Sequence, residues 1–115
     1  MSIRRWEIYR ANLEPVIGSE QGKMRPVLII SENAANDALR VVNVLPITSR
    51  KPGRRIYGNE ALLPAGIGGL PNESIVLAYQ IRTLDKQRLS VRFGQISNSR
   101  IQREIIDALE LQLGL

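Results

Sequence analysis

Gly18-Ser19-Glu20-Gln21-Gly22-Lys23-Met24-Arg25-Pro26 runs directly into Val27-Leu28-Ile29-Ile30-Ser31. A polar, glycine-bracketed loop followed by an unbroken apolar run reads as a loop that carries polar side chains to the mouth of a buried strand. Pro26 can begin a central strand but not continue one, so the strand is expected over residues 27–31. Successive apolar residues without alternation call for cover on both faces of a sheet. The loop and strand together place a Glu, a Gln and an Arg at one end of a layered β fold.

Outward from this stretch, strand signals dominate. Trp6-Glu7-Ile8-Tyr9-Arg10-Ala11-Asn12-Leu13 alternates apolar and polar residues with one buried face. Residues 40–47 form a further expected strand, with Pro46 marking an edge or bulge near its end. The Ala- and Asn-rich residues 33–39 suit a helical turn between them. A short strand is expected over 56–62, another over 74–81, and an alternating one over 88–96. The Gly-rich Leu63-Pro64-Ala65-Gly66-Ile67-Gly68-Gly69-Leu70-Pro71 lacks GxGxxG spacing and opens no helix, so it reads as a loop rather than a phosphate cradle. The period then changes: Ile101, Ile105, Ala108, Leu109 and Leu113 share one helical face, as core or dimer contact. Ser99 with Gln102 carries a capping-box signature and Gly114 a stop. The expected fold is mainly β with minor α: a small SH3-like barrel of bent antiparallel strands with a C-terminal helix, one domain over residues 1–115.

Composition bounds the chemistry. The chain has no His and no Cys among its 115 residues, which removes thiolate catalysis, disulfides and thiolate metal sites and fits a reducing interior, with the cytoplasm as the expected location. No apolar run approaches the roughly 20 residues needed to span a bilayer, and Arg4-Arg5 leads into Trp6-Glu7 rather than a signal-peptide core. Sixteen Lys and Arg against 11 Asp and Glu give +5, which favours an anionic partner such as nucleic acid over a merely solvated basic surface because Arg50, Lys51, Arg54 and Arg55 cluster.

The chain resembles the MazF/PemK-type toxins of bacterial toxin–antitoxin modules, in ordered blocks along most of its length. Glu7-Ile8-Tyr9 with Leu13-Glu14-Pro15 looks like the opening strand, and Gly18-Ser19-Glu20-Gln21 with Arg25-Pro26-Val27 is similar to the signature loop. Ile47-Thr48-Ser49 matches the end of the third long strand. Ser74-Ile75-Val76-Leu77, Gln80-Ile81-Arg82-Thr83-Leu84-Asp85-Lys86 and Arg88-Leu89 resemble the late motif, and Ala108-Leu109 with Leu113-Gly114-Leu115 the ending. The resemblance implies a MazF/CcdB-like fold and a homodimeric, metal-independent endoribonuclease without a cofactor. It further implies single-stranded RNA as the substrate and a cognate acidic antitoxin as the partner. Departures fall at Ser19, where some relatives carry His, and at Tyr79, where some carry an acidic residue; both bear on the general base.

Metal-free cleavage by the RNA's own 2′-OH needs a base, positive charge on the phosphorane-like transition state and help for the leaving 5′-oxygen. Without His, Glu20 is the candidate base, Arg25 the cation and Thr48 a hydroxyl donor to the phosphate. A Glu near 4.3 is a weak base and an Arg above 12 a poor acid, so Arg25 is assigned electrostatic stabilisation, and the enzyme is expected to be slow. Read without the resemblance, Arg25 pairs with Glu20 to stiffen the loop, Thr48 is a strand former and Glu20 a solvated carboxylate. The resemblance favours the catalytic reading for Arg25 and Thr48 and leaves Glu20 between the two. Lys23, Arg50, Lys51 and Arg54 are the candidate phosphate ligands, with Arg55 beside them. Ser19, Gln21 and Gln80 are candidate readers of splayed-out base edges. Arg82 is as well suited to a structural role, and Trp6 to packing near the core. The competing functions are a CcdB-like gyrase-poisoning toxin and a non-catalytic SH3-like RNA-binding module; the pair of Arg25 and Thr48 favours the nuclease.

Overall fold

The computed structural model describes residues 2–115, in which β1 (Glu7–Asn12) is flanked by β2 (Met24–Ile29) and β7 (Leu89–Gln95). β2 pairs in turn with β3 (Val41–Ser49), the longest strand. On its other side β3 pairs with β6 (Arg82–Asp85) along its first half and β5 (Ser74–Val76) along its last three residues, and β4 (Ala61–Leu63) adds to β5. Every pairing is antiparallel, the sheet order is β4-β5-β3-β2-β1-β7, and β6 lies off that path. A short helix α1 (Asn33–Ala38) joins β2 to β3, and α2 (Ser99–Leu113) ends the fold.

The unbroken apolar run on β2 is covered on both faces. Leu28 packs with Ile8, Leu45 and Ile47 into a cluster that includes Ile101, Ile105 and Ala108 of α2. Val27 and Ile29 face the other way, with Tyr9, Ala11, Val42, Val44 and Leu84. Strand alternation sends successive side chains to opposite faces, so one sheet serves two cores. Each fully buried Leu or Ile contributes about 1.5–3 kcal/mol. Trp6 packs against the α2-side cluster, and Arg5 lies over its ring with its guanidinium carbon 5.1 Å from the centroid.

Several boundaries differ from the sequence reading. β2 begins at Met24 and contains Pro26, because Pro26 pairs with Arg10 of β1 at a position where no ladder to β3 exists. Pro46 sits on β3 between the β6 and β5 ladders, where an N–H is not required, and its carbonyl accepts from the Leu77 N–H at 2.9 Å. The strand expected over 56–62 shrinks to β4, since Tyr57 and Glu60 close a turn whose N–H groups are taken up locally, Tyr57 donating to Glu60 Oε1 at 3.0 Å. Residues 74–81 do not form one strand: Ala78–Gln80 is a 3-10 turn, and β6 follows as a strand of its own. That run is apolar because residues 74–78 are buried, not because all of them pair. The α2 cap lies one residue earlier than expected, at Asn98, whose side-chain oxygen accepts from the Ile101 N–H at 3.0 Å. Gln102 instead donates to the Ile96 carbonyl at 2.8 Å, and Gly114 ends the helix in the left-handed region at φ 71°.

The Gly-rich segment is a loop that holds one short 3-10 turn at Ile67–Gly69, and its glycines have a packing reason. Gly69, at φ 82°, lies against the backbone of β7, so that a Cβ there would strike the Phe93 carbonyl oxygen. A Cβ on Gly94 would stand 2.7 Å from the Gly68 carbonyl carbon and oxygen. Two backbones meet here without intervening side chains. Gly69→Ala combines a left-handed φ with a backbone clash and is expected to cost about 2–4 kcal/mol, read as a lowered urea midpoint at an unchanged m-value.

Candidate active site

β2 and β3 pair only from Val27 to Ile29, opposite Pro46 to Val44. Pro26 has no N–H with which to extend the ladder, and beyond it the strands part. Carrying the register of Val27 and Pro46 two residues further sets Arg25 of β2 opposite Thr48 of β3. The two side chains line a cleft of about 240 Å³, together with Ser49, Asn72, Ser74 and Phe93. Arg25 is half-buried and donates through Nε to the Gly22 carbonyl at 3.2 Å, which aims the guanidinium without neutralising it. Among the described residues no carboxylate forms an ion pair with Arg25. An uncompensated guanidinium in a partly desolvated cleft is a ready anion site, and its planar fork suits two phosphate oxygens. Thr48 is partly buried and pairs with Ile75 of β5 through the backbone.

The ion pair between Arg25 and Glu20 does not form. Glu20 is exposed, and its Oε1 accepts from the Ile17 N–H at 2.6 Å while its own N–H donates to the Ile17 carbonyl at 3.2 Å. Glu20 lines a neighbouring pocket of about 360 Å³ with Ser19, Tyr79, Gln80 and Arg82. Arg25 and Thr48 therefore share one cleft, and Glu20 and Ser19 another, on the same loop-to-strand segment. Lys23 is exposed, at φ 65°, and its N–H donates to Glu14 Oε1 at 2.7 Å. Gln80 directs its amide to the loop backbone, accepting from the Gln21 N–H at 2.7 Å and donating to the Ser19 carbonyl at 3.1 Å. Arg82 is a structural cation in part, donating to the Leu13 carbonyl at 3.1 Å.

The basic run divides into engaged and open groups. Arg54, expected to face phosphates, holds the buried Glu60 with both arms of its fork at 2.7 and 2.8 Å. That pairing is the main reason the Glu60 carboxyl lies below its usual pKa, and it holds the Arg54 pKa above its ordinary value. Arg50 pairs with Glu73 at 3.1 Å and donates to the Arg54 carbonyl at 2.9 Å. Lys51 and Arg55 are exposed, Arg55 lying over the Tyr57 ring with its guanidinium carbon 5.3 Å from the centroid. Sequence reading did not single out Asn72, Ser49 and Phe93. Asn72 directly follows the Gly-rich loop and Phe93 adjoins Gly94, so their signal was the glycine packing that sets both against the cleft.

A family model for the PemK-like, MazF-like toxin of type II toxin–antitoxin systems matches residues 4–113. MazF from Deinococcus radiodurans is 29% identical, covers 100% of this chain and 99% of its own, and superposes with a TM-score of 0.83. An endoribonuclease in complex with its cognate antitoxin, from a mycobacterial species, is 26% identical over 98% of this chain and 96% of its own, at a TM-score of 0.79. A MazE–MazF complex from Deinococcus radiodurans is 29% identical over 100% and 98%, at 0.76.

The Glu60 pairing sets a pH dependence. A carboxylate whose folded pKa lies below its unfolded value, near 4.3, adds stability above that value and loses it as pH falls through the folded pKa. Glu60→Gln is expected to cost about 2–3 kcal/mol at pH 7 by leaving Arg54 without its charged partner. The difference from the native chain narrows as pH drops from 5 towards 2, which urea unfolding across that range measures.

Proposed function

The chain belongs to the PemK-like, MazF-like toxin family of type II toxin–antitoxin systems, and from that premise we propose that it is an endoribonuclease acting on single-stranded RNA without a metal ion. The observation that carries this reading is the unpaired Arg25 guanidinium set opposite Thr48 where β2 and β3 part. The RNA's 2′-oxygen attacks the adjacent phosphorus and the bond to the 5′-oxygen breaks, giving a 2′,3′-cyclic phosphate and a 5′-OH. Arg25 holds the phosphoryl oxygens as charge accumulates on them, and Thr48 adds a hydrogen bond. With the bound strand bridging the cleft and the neighbouring pocket, Glu20 takes the 2′-OH proton through the carboxylate oxygen not bonded to Ile17, and solvent protonates the leaving 5′-oxygen. The chain has no histidine to exchange protons near neutral pH, so turnover is slow.

Lys23, Arg50, Lys51 and Arg55 serve the backbone phosphates on either side of the cut. Arg54 supports them by shaping the loop through Glu60. Phe93 and Asn72 on the cleft wall suit a splayed-out base, one by stacking and one by hydrogen bonding. Ser19 lines the neighbouring pocket, where a flanking base would sit, and Gln21 follows two residues on in the same loop. The partner is an antitoxin whose acidic segment lies over the basic surface and excludes RNA, folding as it binds. The working form is a homodimer in the bacterial cytoplasm.

Arg25→Ala is expected to lower cleavage of a long unstructured RNA in EDTA by about 10²–10³-fold. Its thermal midpoint should stay close to the native value, because Arg25 has no ion pair to lose. Mapping 5′ ends and testing 3′ ends for cyclic phosphate decides the chemistry, and undiminished cutting by the variant refutes the role of Arg25. RNA affinity should fall with salt at a log–log slope of about −3 to −4, the value for roughly five phosphate contacts on a single strand. Lys51→Ala is expected to flatten the slope by about 0.7.

A further inference from the structure

Resting on the nuclease reading, we infer that Gln80 is a positioning residue: it clasps the backbone on both sides of Glu20 and so sets where that carboxylate stands. The Gln80 amide oxygen accepts from the Gln21 N–H at 2.7 Å, and its amide nitrogen donates to the Ser19 carbonyl at 3.1 Å. The residue between these two backbone groups is Glu20. A backbone N–H only donates and a carbonyl only accepts, so the amide has one orientation that satisfies both. A primary amide is the side-chain group that offers a donor and an acceptor side by side at this reach.

The same inventory separates this role from base reading. The amide nitrogen carries two protons: one goes to Ser19, and the Tyr79 hydroxyl stands 3.4 Å away to accept the other. Paired recognition of a base edge needs a free donor beside a free acceptor, and Gln80 has no donor left. The clasp is also well founded. Gln80 closes the 3-10 turn Ala78–Gln80, its N–H donating to the Leu77 carbonyl at 3.0 Å, and Ala78 is buried in the cluster that contains Ile101, Ile105 and Ala108 of α2. At the other end of the loop the neck is tied separately. Leu13 N–H donates to the Lys23 carbonyl at 2.9 Å, Glu14 accepts from the Lys23 N–H, and Arg88 donates to the Glu14 carbonyl. With its neck fixed on β1 and β2, the loop has Gln80 as the tie between its tip and the helix-backed core.

The experiment compares Gln80→Met and Gln80→Glu, each alone and combined with Glu20→Ala. Amide exchange at Gln21 is followed by NMR, and kcat, KM and cut sequence are followed on RNA. Gln80→Met should speed Gln21 amide exchange at least tenfold and lower kcat at least tenfold, with KM within twofold and the cut sequence unchanged. In the Glu20→Ala background it should lower the residual rate no further, since a residue that acts through Glu20 has nothing left to position. Gln80→Glu keeps the acceptor but sets a carboxylate against the Ser19 carbonyl; it should retain the Gln21 protection while losing kcat. Unchanged Gln21 exchange in Gln80→Met overturns the clasp, and so does an equal loss of rate in both backgrounds or an altered cut sequence. If the native protein does not cut RNA, the nuclease reading fails and the exchange measurement still decides whether Gln80 holds the loop.

Discussion

A proline has no N–H to give, and at Pro26 that missing donor coincides with the end of the ladder between β2 and β3. Everything at the site follows from that parting. Were the ladder to continue, Arg25 and Thr48 would face each other as an ordinary cross-strand pair, with their backbones closed against one another. Instead the strands diverge at the last residues of β3, where it has already passed from its β6 partner to β5. Pro46 sits at that transfer. The sheet thus gives up a few backbone hydrogen bonds and gains a cleft whose walls remain tied to the core through Val27, Leu45 and Ile47.

Charge is distributed to match. The buried carboxylates, Glu7 and Glu60, are each held by an arginine, Glu7 by Arg92 at 2.6 Å and Glu60 by Arg54. Arg25 alone among the cleft-lining side chains carries a charge, and no acid answers it. A chain without His has no side chain whose ordinary pKa falls between pH 5 and 8. Such a chain has fixed charge and placement to work with more than proton affinity, and under the proposed mechanism that raises the importance of whatever fixes the loop around Glu20.

Much of the fold was legible because burial and strand period coincide. The apolar run at Val27 to Ile30 showed that both faces would be covered. The helical stripe of Ile101, Ile105 and Ala108 identified the layer that covers one of them. The alternation over Trp6 to Leu13, read as one buried face, missed that Ile8 packs into the α2-side cluster and Tyr9, Ala11 and Leu13 into the other. The reading failed where burial and pairing separate: Ile75 to Ala78 are all buried, yet β5 ends at Val76. That Arg25 and Thr48 belong to one place was legible through the family resemblance, and the register explains why they line one cleft. Arg54 was not, because a run of basic residues does not reveal that Glu60 will turn back onto one of them. Gln80 stood out as a polar residue in an apolar segment, but its partners lie 59 and 61 residues away in the chain. No local pattern carries that information.

The contact of Gly68 and Gly69 with Phe93 and Gly94 has a mechanical consequence. Backbone pressed on backbone leaves no rotamer to turn and no gap to take up, so the side of the cleft bearing Asn72 and Phe93 behaves as an anvil. The loop carrying Glu20, at the neighbouring pocket, is hung from side-chain ties that thermal motion can stretch. A change of side chain is then absorbed structurally more readily where that loop is suspended than at the glycines of the anvil.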